Sequence, residues 1–468
     1  MLAGCASIPD LGPQPQLRTA ETVSATASLP SGQGEWPTDG WWQAYGDPQL
    51  DALIEEGLRN SPDMAMAAAR FRQAEAYAQQ AGAALLPSVD AQGTATLDKQ
   101  SYNNGFPKQF VPKGWLDRGS IAASLAYDID LWGKNRAALA AATSQAQAAR
   151  LEGEQARMTL ASGIADAYAD LARLHMERDI AERTLALRLA SQKLVADRER
   201  NGLDTRGSLR SADATAASAR ASLAGADEAI ALRRNQIAAL IGAGPDRALT
   251  IARPTLAVPP ARALPDDVTT DLIGRRPDIA AARARAEAAA SQIRVAHAAF
   301  FPAVRLSALI GLQALGLDQL MKGDSSYGSV GPAISLPIFH GGAIAGQYRG
   351  ARASYDQAVA TYDKTVLDAY RQVADTVTSR QILARRVSDA RAALASSEEA
   401  YAIAQKRYSG GLSTYLDVLN VEDRLLAARQ SVAELDARAY TLDIALIRAL
   451  GGGYAAAPQP AAKEDTHG

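Results

Sequence analysis

The stretch NSPDMAMAAAR at residues 60–70 returns, with changes, as RRPDIAAARAR at residues 275–285. When residue 62 is aligned with residue 277, a gapless comparison as far as residue 89 gives 12 identities in 28 positions. Alanine inflates that count, so the informative identities are the others: Pro62 with Pro277, Asp63 with Asp278, Arg70 with Arg285, Pro87 with Pro302 and Val89 with Val304. Later matches follow in the same order, pairing Leu203 with Leu412, Thr205 with Thr414 and Gly242 with Gly451. The chain is therefore predicted to be a tandem duplication of one structural unit.

The duplication divides the chain into four predicted regions. We expect an N-terminal tether over residues 1–37, a first repeat over 38–262, a second repeat over 263–453 and a disordered tail over 454–468. Each repeat is expected to hold the same elements in the same order, because the insertions and deletions fall between the matched segments.

Two runs in each repeat alternate between apolar and polar residues, which predicts β-strands with one apolar and one polar face. We expect these strands at residues 88–98 and 120–131 in the first repeat, and at 303–312 and 327–338 in the second. Each run has about ten residues, the length that a membrane β-strand needs. The connections inside the two hairpins are long and polar, as exposed loops would be.

The remainder of each repeat reads as helix. A shorter helix begins at each Pro-Asp pair, where proline suits the first turn and the carboxylate suits the N-terminal dipole. Long helix pairs are expected at about 134–243 and 341–450, each broken by a glycine turn into roughly 65 and 35–40 residues, so the longer helix would extend roughly 100 Å. Apolar residues recur every seven positions, which predicts side-by-side packing as in coiled coils: Val359, Val366, Val373, then after a break at Arg380, Val387, Leu394, Tyr401 and Tyr408.

Composition excludes several classes of protein. The formal net charge is −2 and the pI near 6.2, so no polyanion-binding surface and no nucleic-acid partner are expected. No run of 18 apolar residues is present, so no transmembrane helix is expected. The single cysteine, Cys5, excludes disulfides and thiolate metal cages.

Cys5 follows Leu-Ala-Gly, a four-residue stretch that resembles a bacterial lipobox. The following residues, 6–37, are rich in Pro, Ser, Thr, Gln and Gly and read as a tether. We therefore expect a covalent lipid such as palmitate on Cys5, with a chance match as the alternative. Because only Met1 and three residues precede Cys5, the start of the chain looks trimmed.

Four amphipathic strands cannot close a membrane barrel, since the smallest such barrels have eight strands. Open sheet edges leave backbone groups unpaired in hydrocarbon, so the chain must oligomerise if its strands lie in a bilayer. Two copies would give eight strands and a barrel filled by its own side chains, whereas three copies would give twelve and could surround a lumen.

The sequence resembles the TolC-type outer-membrane efflux family, in particular its lipoprotein branch, the outer-membrane factors of RND-type tripartite pumps. The resemblance covers residues 40–452 and is carried by seven motifs in order: WWQAYGDPQLDALI (41–54), NSPDMAMAAAR (60–70), YDIDLWGKNRA (127–137), GRRPDIAAARARAEAA (274–289), AAFFPAVRLSALIG (298–311), LPIFHGG (336–342) and RYSGGLSTYLDVLNVE (407–422). It implies a mainly α protein with a membrane β-barrel. Three chains would build twelve strands continuous with a twelve-helix tunnel.

The same resemblance implies a passive exit duct in the bacterial outer membrane, extending far into the periplasm. A periplasmic membrane-fusion adaptor and an inner-membrane RND-type pump would be its partners, together with outer-membrane lipid. The cargo would be drugs, toxic compounds or metal ions. Two alternatives are a protein-export duct of a type I secretion system and a soluble coiled-coil scaffold without a pore.

The resemblance also implies roles for residues near the two glycine turns. The adaptor would dock on the turns, at Gly202, Leu203, Asp204, Thr205, Gly411, Leu412, Ser413 and Thr414. The family narrows its closed tunnel with aspartates that match Asp417 and Asn420, and the asparagine leaves a double carboxylate ring in doubt. Leu416 and Tyr408 match positions near the same constriction. From the residues alone, Asp417 suits either a first-turn carboxylate or a charge facing a lumen.

No catalytic or metal-binding pattern is found in the sequence. The four histidines, His175, His297, His340 and His467, lack ligand spacing, and no nucleophile elbow or phosphate-binding glycine loop is present. We therefore expect neither an enzyme nor a cofactor, and we expect Trp41 and Trp42 to pack on the helices.

Overall fold

The computed structural model describes residues 8–29, 32–103, 105–259 and 262–455. Cys5 and most of the expected tail, residues 456–468, lie outside the described residues. The main elements follow in chain order: α1 (Pro48–Asn60), α2 (Pro62–Ala83), β1 (Ser88–Asp98), β2 (Leu116–Ile129), α3 (Lys134–Arg200), α4 (Arg206–Leu240), α5 (Pro245–Ala248), α6 (Val268–Asp271), α7 (Pro277–Ala298), β3 (Ala303–Leu315), β4 (Ser326–Ser335), α8 (Ala343–Ser409) and α9 (Tyr415–Ala449).

The corresponding helices of the two repeats have equal lengths. α2 and α7 have 22 residues each, α3 and α8 have 67, and α4 and α9 have 35. This agreement confirms the tandem repeat and the long helix pairs. No helix in the described part of the chain is both long and apolar enough to cross a membrane.

The chain forms two compact units, and each repeat contributes to both. Among the described residues, one unit lies within 8–17, 70–149 and 281–362, and the other within 18–69, 150–280 and 363–455. All four strands belong to the first unit, and both glycine turns belong to the second.

The four strands form one antiparallel sheet in the order β1-β2-β3-β4, so the two predicted hairpins are joined directly along β2 and β3. That junction runs from Arg118 opposite Leu315 to Ile129 opposite Val304. Near one end Asp128 lies opposite Arg305, whose Nε and Nη2 donate to the two carboxylate oxygens over 2.6 and 3.2 Å. An opposite-charge pair directly across two strands favours this register over its neighbours.

Three strands differ in their bounds from the sequence predictions. β2 covers Leu116–Ile129 instead of 120–131, because the carboxylate of Asp130 accepts hydrogen bonds from the backbone N–H groups of Asn135 and Arg136 and turns the chain into α3. β4 ends at Ser335 instead of 338, and Pro337 has no N–H to continue a ladder. β3 extends to Leu315 because Arg118 pairs with that residue.

The seven-residue seam of α8 packs as predicted. Val366 and Val373 are fully buried, and Val359, Tyr401 and Tyr408 are nearly so. Val387 and Leu394, in the stretch after Arg380, are only half-buried. A seam of this period keeps one face of a long helix against its neighbours.

Trp41 and Trp42 are buried in a core cluster formed with residues of the long helices, as the sequence predicted. Their rings meet edge to face, with centroids 5.6 Å apart. Nearby, the Tyr45 hydroxyl donates to the buried carboxylate of Asp443 over 2.9 Å, which satisfies a polar group that burial would otherwise penalise.

In each repeat, a glycine follows the second long helix and packs against the segment that leads into the Pro-Asp helix. The glycines are Gly242 after α4 and Gly451 after α9. A Cβ added at Gly242 would lie 2.5 Å from the carbonyl oxygen of Asn60, and one at Gly451 would lie 2.0 Å from that of Arg275. Both glycines have positive φ, 77° and 97°. In the second repeat, Arg276 strengthens the junction by donating to the Ala449 carbonyl at the end of α9. The repeated Pro-Asp segment therefore packs in the same way twice.

We expect Gly242→Ala and Gly451→Ala each to lower the free energy of unfolding by about 2 kcal/mol or more, because each adds a left-handed alanine and a backbone clash. Thermal unfolding of the purified protein in detergent measures the effect. Gly350→Ala is the control, since its helical site has nothing within 4 Å of the added Cβ. Equal melting temperatures for all three variants would contradict the role given to these junctions.

Burial raises the pKa of Asp166 to about 6, although Arg448 opposes the shift. The folded state then binds more protons than the unfolded state between about pH 4 and pH 6, so stability increases as the pH falls through that window. We expect Asp166→Asn to stabilise the protein at pH 7 by about 1–3 kcal/mol and to flatten the pH dependence of its melting temperature. Glu434→Gln, an exposed carboxylate on α9, is the control. A melting profile unchanged by Asp166→Asn would contradict this.

Candidate functional site

The two glycine turns end their helices in the same way. At the end of α3, the Leu203 N–H donates to the Arg198 carbonyl over 2.8 Å and the Gly202 N–H donates to Glu199 over 2.9 Å. At the end of α8, Leu412 and Gly411 bond to Arg407 and Tyr408 in the same pattern. This is the Schellman arrangement, which requires a left-handed residue, and Gly202 and Gly411 have φ of 71° and 76°.

Each return helix then begins with a threonine cap. The Thr205 hydroxyl accepts a hydrogen bond from the Ser208 N–H over 3.1 Å. In the second repeat, Thr414 accepts from the Asp417 N–H, while Asp417 accepts from both the N–H and the hydroxyl of Thr414. These bonds, first the one from the Thr414 backbone, lower the pKa of Asp417. The capping box stabilises the start of α9 and keeps this carboxylate ionised.

The predicted docking residues separate into an exposed and an inward-facing set. The side chains of Leu203 and Leu412 are 65% and 74% exposed, although an apolar residue after a Schellman glycine commonly packs back on its helix. Asp204 points inward and bonds to Tyr408, and Ser413 is half-buried. Two equivalent leucines are therefore available to a partner.

Tyr408 connects the two turns. Its hydroxyl donates to the Asp204 carboxylate over 2.6 Å, and the guanidinium of Arg198 lies 4.9 Å from its ring centroid. Burial alone would raise the pKa of Asp204, but the hydrogen bonds from Tyr408 and Ser208 outweigh it and lower that pKa. Burial, and then the hydrogen bond to Asp204, raise the pKa of Tyr408. The pair therefore holds its proton on the tyrosine and its charge on the aspartate.

Three of the four predicted gate residues share one exposed face of α9: Leu416, Asp417 and Asn420. Tyr408 instead lies near the end of α8, and its side chain is buried among Val195, Tyr415 and other members of a core cluster. In the first repeat the position matching Asp417 is Ser208, so the exposed face carries its carboxylate only in the second repeat.

A buried polar cluster near the turns was not predicted from the sequence. Glu422 is fully buried on α9, and its Oε1 lies 3.0 Å from Nε of Arg188 on α3. Burial raises the pKa of Glu422, with Arg188 opposing. In the described part of the chain, neither Glu422 oxygen has a well-directed hydrogen bond, nor do the hydroxyls of Tyr401 and Tyr415. One feature of the sequence could have indicated this cluster: Glu422 occupies a position of α9 where the helical period places an apolar residue.

The described residues contain no group of three or more His, Cys, Asp or Glu side chains that could hold a metal ion. The side chains of His175 on α3 and Asp443 on α9 are buried.

Comparison with known proteins gives matches over nearly the whole chain. The family model described as outer membrane efflux protein matches residues 53–243 and again residues 268–452, once in each repeat. The multidrug resistance outer membrane protein MdtP of Shigella flexneri is 30% identical over 471 residues, which cover 98% of this chain and 95% of that protein. The pyoverdine export outer membrane protein OpmQ of Pseudomonas aeruginosa is 30% identical over 430 residues, covering 91% and 90%. Among solved structures, the outer membrane protein VceC of Vibrio cholerae is 44% identical, with a TM-score of 0.83 and coverage of 90% and 100%.

We expect Tyr408→Phe to lower the free energy of unfolding by about 1–2 kcal/mol, because it removes a hydrogen bond to a carboxylate and leaves Asp204 less satisfied. Thermal unfolding in detergent measures the change. Tyr401→Phe is a matched control on the same helix, since the hydroxyl that it removes is buried and has no hydrogen-bond partner in the described residues. If Tyr401→Phe destabilised the protein more than Tyr408→Phe, the connection between the turns would not matter for stability.

Proposed function

This chain belongs to the outer membrane efflux protein family, and we propose that it acts as a passive trimeric exit duct for small molecules. Its place is the outer membrane, and its function is that of the outer-membrane channel of an efflux system. The observation that supports a trimeric duct is the four-stranded sheet. Its strands are paired in the order β1-β2-β3-β4, so β1 and β4 are its edges.

The two edges support assembly of three copies. Each edge strand offers a row of backbone groups that lack a partner within the sheet, and such groups are expensive in hydrocarbon. β1 of one copy pairing with β4 of the next would satisfy both edges at once. Three copies would give twelve strands, enough to surround a lumen, whereas two would give a filled barrel.

The proposed cargo is a small molecule rather than a protein. MdtP is named for multidrug resistance, OpmQ for pyoverdine export, and FusA of Burkholderia cepacia, 33% identical over 362 residues, for fusaric acid resistance. These names support export of small organic compounds by this chain as well. The energy would come from an inner-membrane RND-type pump, the partner that the resemblance to the outer-membrane factors of tripartite pumps implies.

The proposed partner at the turns is a periplasmic membrane-fusion adaptor. Leu203 and Leu412 supply two exposed apolar contacts on backbones that Schellman turns and threonine caps hold rigid. Rigid, exposed apolar side chains are suited to fill pockets on a partner at little entropic cost. The remaining turn residues, Gly202, Asp204, Thr205, Gly411, Ser413 and Thr414, would hold these two leucines in place.

Asp417 is the proposed gate residue. Three-fold symmetry would bring three copies of this exposed carboxylate around one axis, where they would attract cations. Asn420, one turn further along α9, would add a neutral polar ring, and Leu416 an apolar one. The lipid on Cys5 is a separate proposal, based on the Leu-Ala-Gly-Cys stretch, and would anchor the chain to the outer membrane.

Single-channel recording in planar lipid bilayers tests the duct and the gate separately. We expect the purified protein to give a small cation-selective conductance that divalent cations block. We expect Asp417→Ala to weaken that block and raise the conductance, because the ring of negative charge is removed. Glu434→Ala, which removes another exposed carboxylate of α9, is the control and should leave both unchanged.

The two results have different consequences. A wild-type protein that is monomeric and passes no ions would overturn the proposed duct. A normal channel in which Asp417→Ala leaves block and conductance unchanged would overturn only the gate.

A further inference from the structure

The loop between β1 and β2 carries exposed aromatic and basic residues, and the proposed duct gives them no role. Residues 99–115 contain Lys99, Lys108 and Lys113 and no aspartate or glutamate, so their formal charge is +3 in a chain of net charge −2. Phe106, Phe110 and Trp115 in the same loop are each more than 60% exposed. Large exposed aromatic side chains beside unpaired charges mark an interaction surface.

The lysines of this loop are free to meet a ligand. All three are exposed, and no ion pair within the described residues involves any of them. Local contacts hold the described residues of the loop, 99–103 and 105–115. The Tyr102 hydroxyl accepts from the Gly114 N–H over 3.1 Å, Val111 is buried, and Lys108–Phe110 forms a single 3₁₀ turn. Lys108 and Lys113 lie within or next to these contacts.

Aromatic residues mark both ends of the apolar sheet face. At the end next to the helices, Trp132 stacks on Phe301 with ring centroids 4.7 Å apart, and Phe339 is 86% exposed. At the opposite end lie Phe106, Phe110 and Trp115. An apolar band between two groups of aromatic residues is the pattern by which membrane strands meet the headgroup layers on either side. With the sheet in the outer membrane, as proposed above, the lysines would lie at the level of one headgroup layer.

The other hairpin loop differs and serves as an internal comparison. Residues 316–325 carry Asp318, Lys322 and Asp324, a formal charge of −1, and their lysine donates to the side chain of Gln319. Leu317 and Leu320 fold back over Gly119 of β2, so this loop covers the sheet. Of the two hairpin loops, the β1–β2 loop is therefore the one with a net positive charge.

We propose that the β1–β2 loop docks on phosphate-bearing headgroups of anionic membrane lipids, with Lys99, Lys108 and Lys113 as the phosphate contacts. The aromatic side chains insert at the boundary between headgroups and acyl chains, and each ammonium group reaches a phosphate oxygen. The proposal rests on the sheet lying in the outer membrane. The loop recognises the negative charge of a headgroup and its position at the membrane surface rather than one lipid species, because lysine is a flexible point charge.

The expected selectivity follows from the charge count. Each lysine near an anionic surface contributes about fivefold in affinity, the factor equivalent to about 1 kcal/mol. Replacing all three by glutamine is therefore expected to weaken binding of anionic lipid roughly a hundredfold while changing the binding of zwitterionic lipid little. The effect should diminish as salt concentration rises, since the contacts are exposed and are screened.

Lipid titration of the full-length protein in detergent, read by native mass spectrometry, tests the proposal. We expect the wild type to retain phosphatidylglycerol in preference to phosphatidylcholine, and the Lys99→Gln/Lys108→Gln/Lys113→Gln variant to lose that preference. Lys322→Gln, in the other loop, is the matched control and should behave as the wild type does. Inorganic phosphate is added in one titration and chloride in another, at the same ionic strength. Phosphate should displace the bound phosphatidylglycerol no more than chloride does.

Planar-bilayer conductance of the same variants separates this proposal from the duct. Normal conductance with unchanged phosphatidylglycerol preference in the triple variant overturns the lipid proposal and leaves the duct intact. Selective displacement by inorganic phosphate would also overturn it, because the site would then bind free phosphate. If the wild-type protein shows no conductance, the proposed duct is overturned instead.

Discussion

The backbone of two edge strands is the constraint on which the rest of this protein depends. β1 and β4 each have a sheet partner on one side only, and a membrane offers no water to satisfy the other side. The unpaired groups are the N–H and C=O groups of the main chain, and a neighbouring strand can satisfy them along the whole edge. The proposed trimer satisfies both edges with one repeated contact, which also creates the lumen.

The duplicated chain suits that solution because one hairpin is contributed by each repeat. The two hairpins join along β2 and β3, where Asp128 meets Arg305, so a single chain presents two edges instead of four. The helices are conserved between the repeats in length and in their junctions, down to the contacts of Gly242 and Gly451 with the Pro-Asp segments. A left-handed glycine against a neighbouring carbonyl leaves no space for a side chain, so both copies keep it.

Near the turns, the repeats differ at residues that carry charge. Asp204 in the first turn meets Tyr408 from the second repeat, and the matching residue, Ser413, makes no such bond. Asp417 completes a capping box where the first repeat has Ser208. The backbone geometry of both turns is nevertheless the same. The duplication thus preserved the scaffold and left the exposed and inter-repeat side chains to differ.

The sequence by itself determined the repeat, the strands, the long helix pairs and the glycine turns that break them, because each depends on local periodicity or on a residue with special backbone freedom. The family resemblance added the efflux function, since seven motifs in order are specific. Only the tertiary structure decided that Tyr408 is buried against Asp204 rather than placed with Asp417, and that Glu422 faces Arg188 across two helices. It also decided where β2, β3 and β4 end. These features depend on residues up to 234 positions apart in the chain, or on hydrogen bonds that cap a neighbouring element. Periodicity gives the face of a helix but not the partner that meets it.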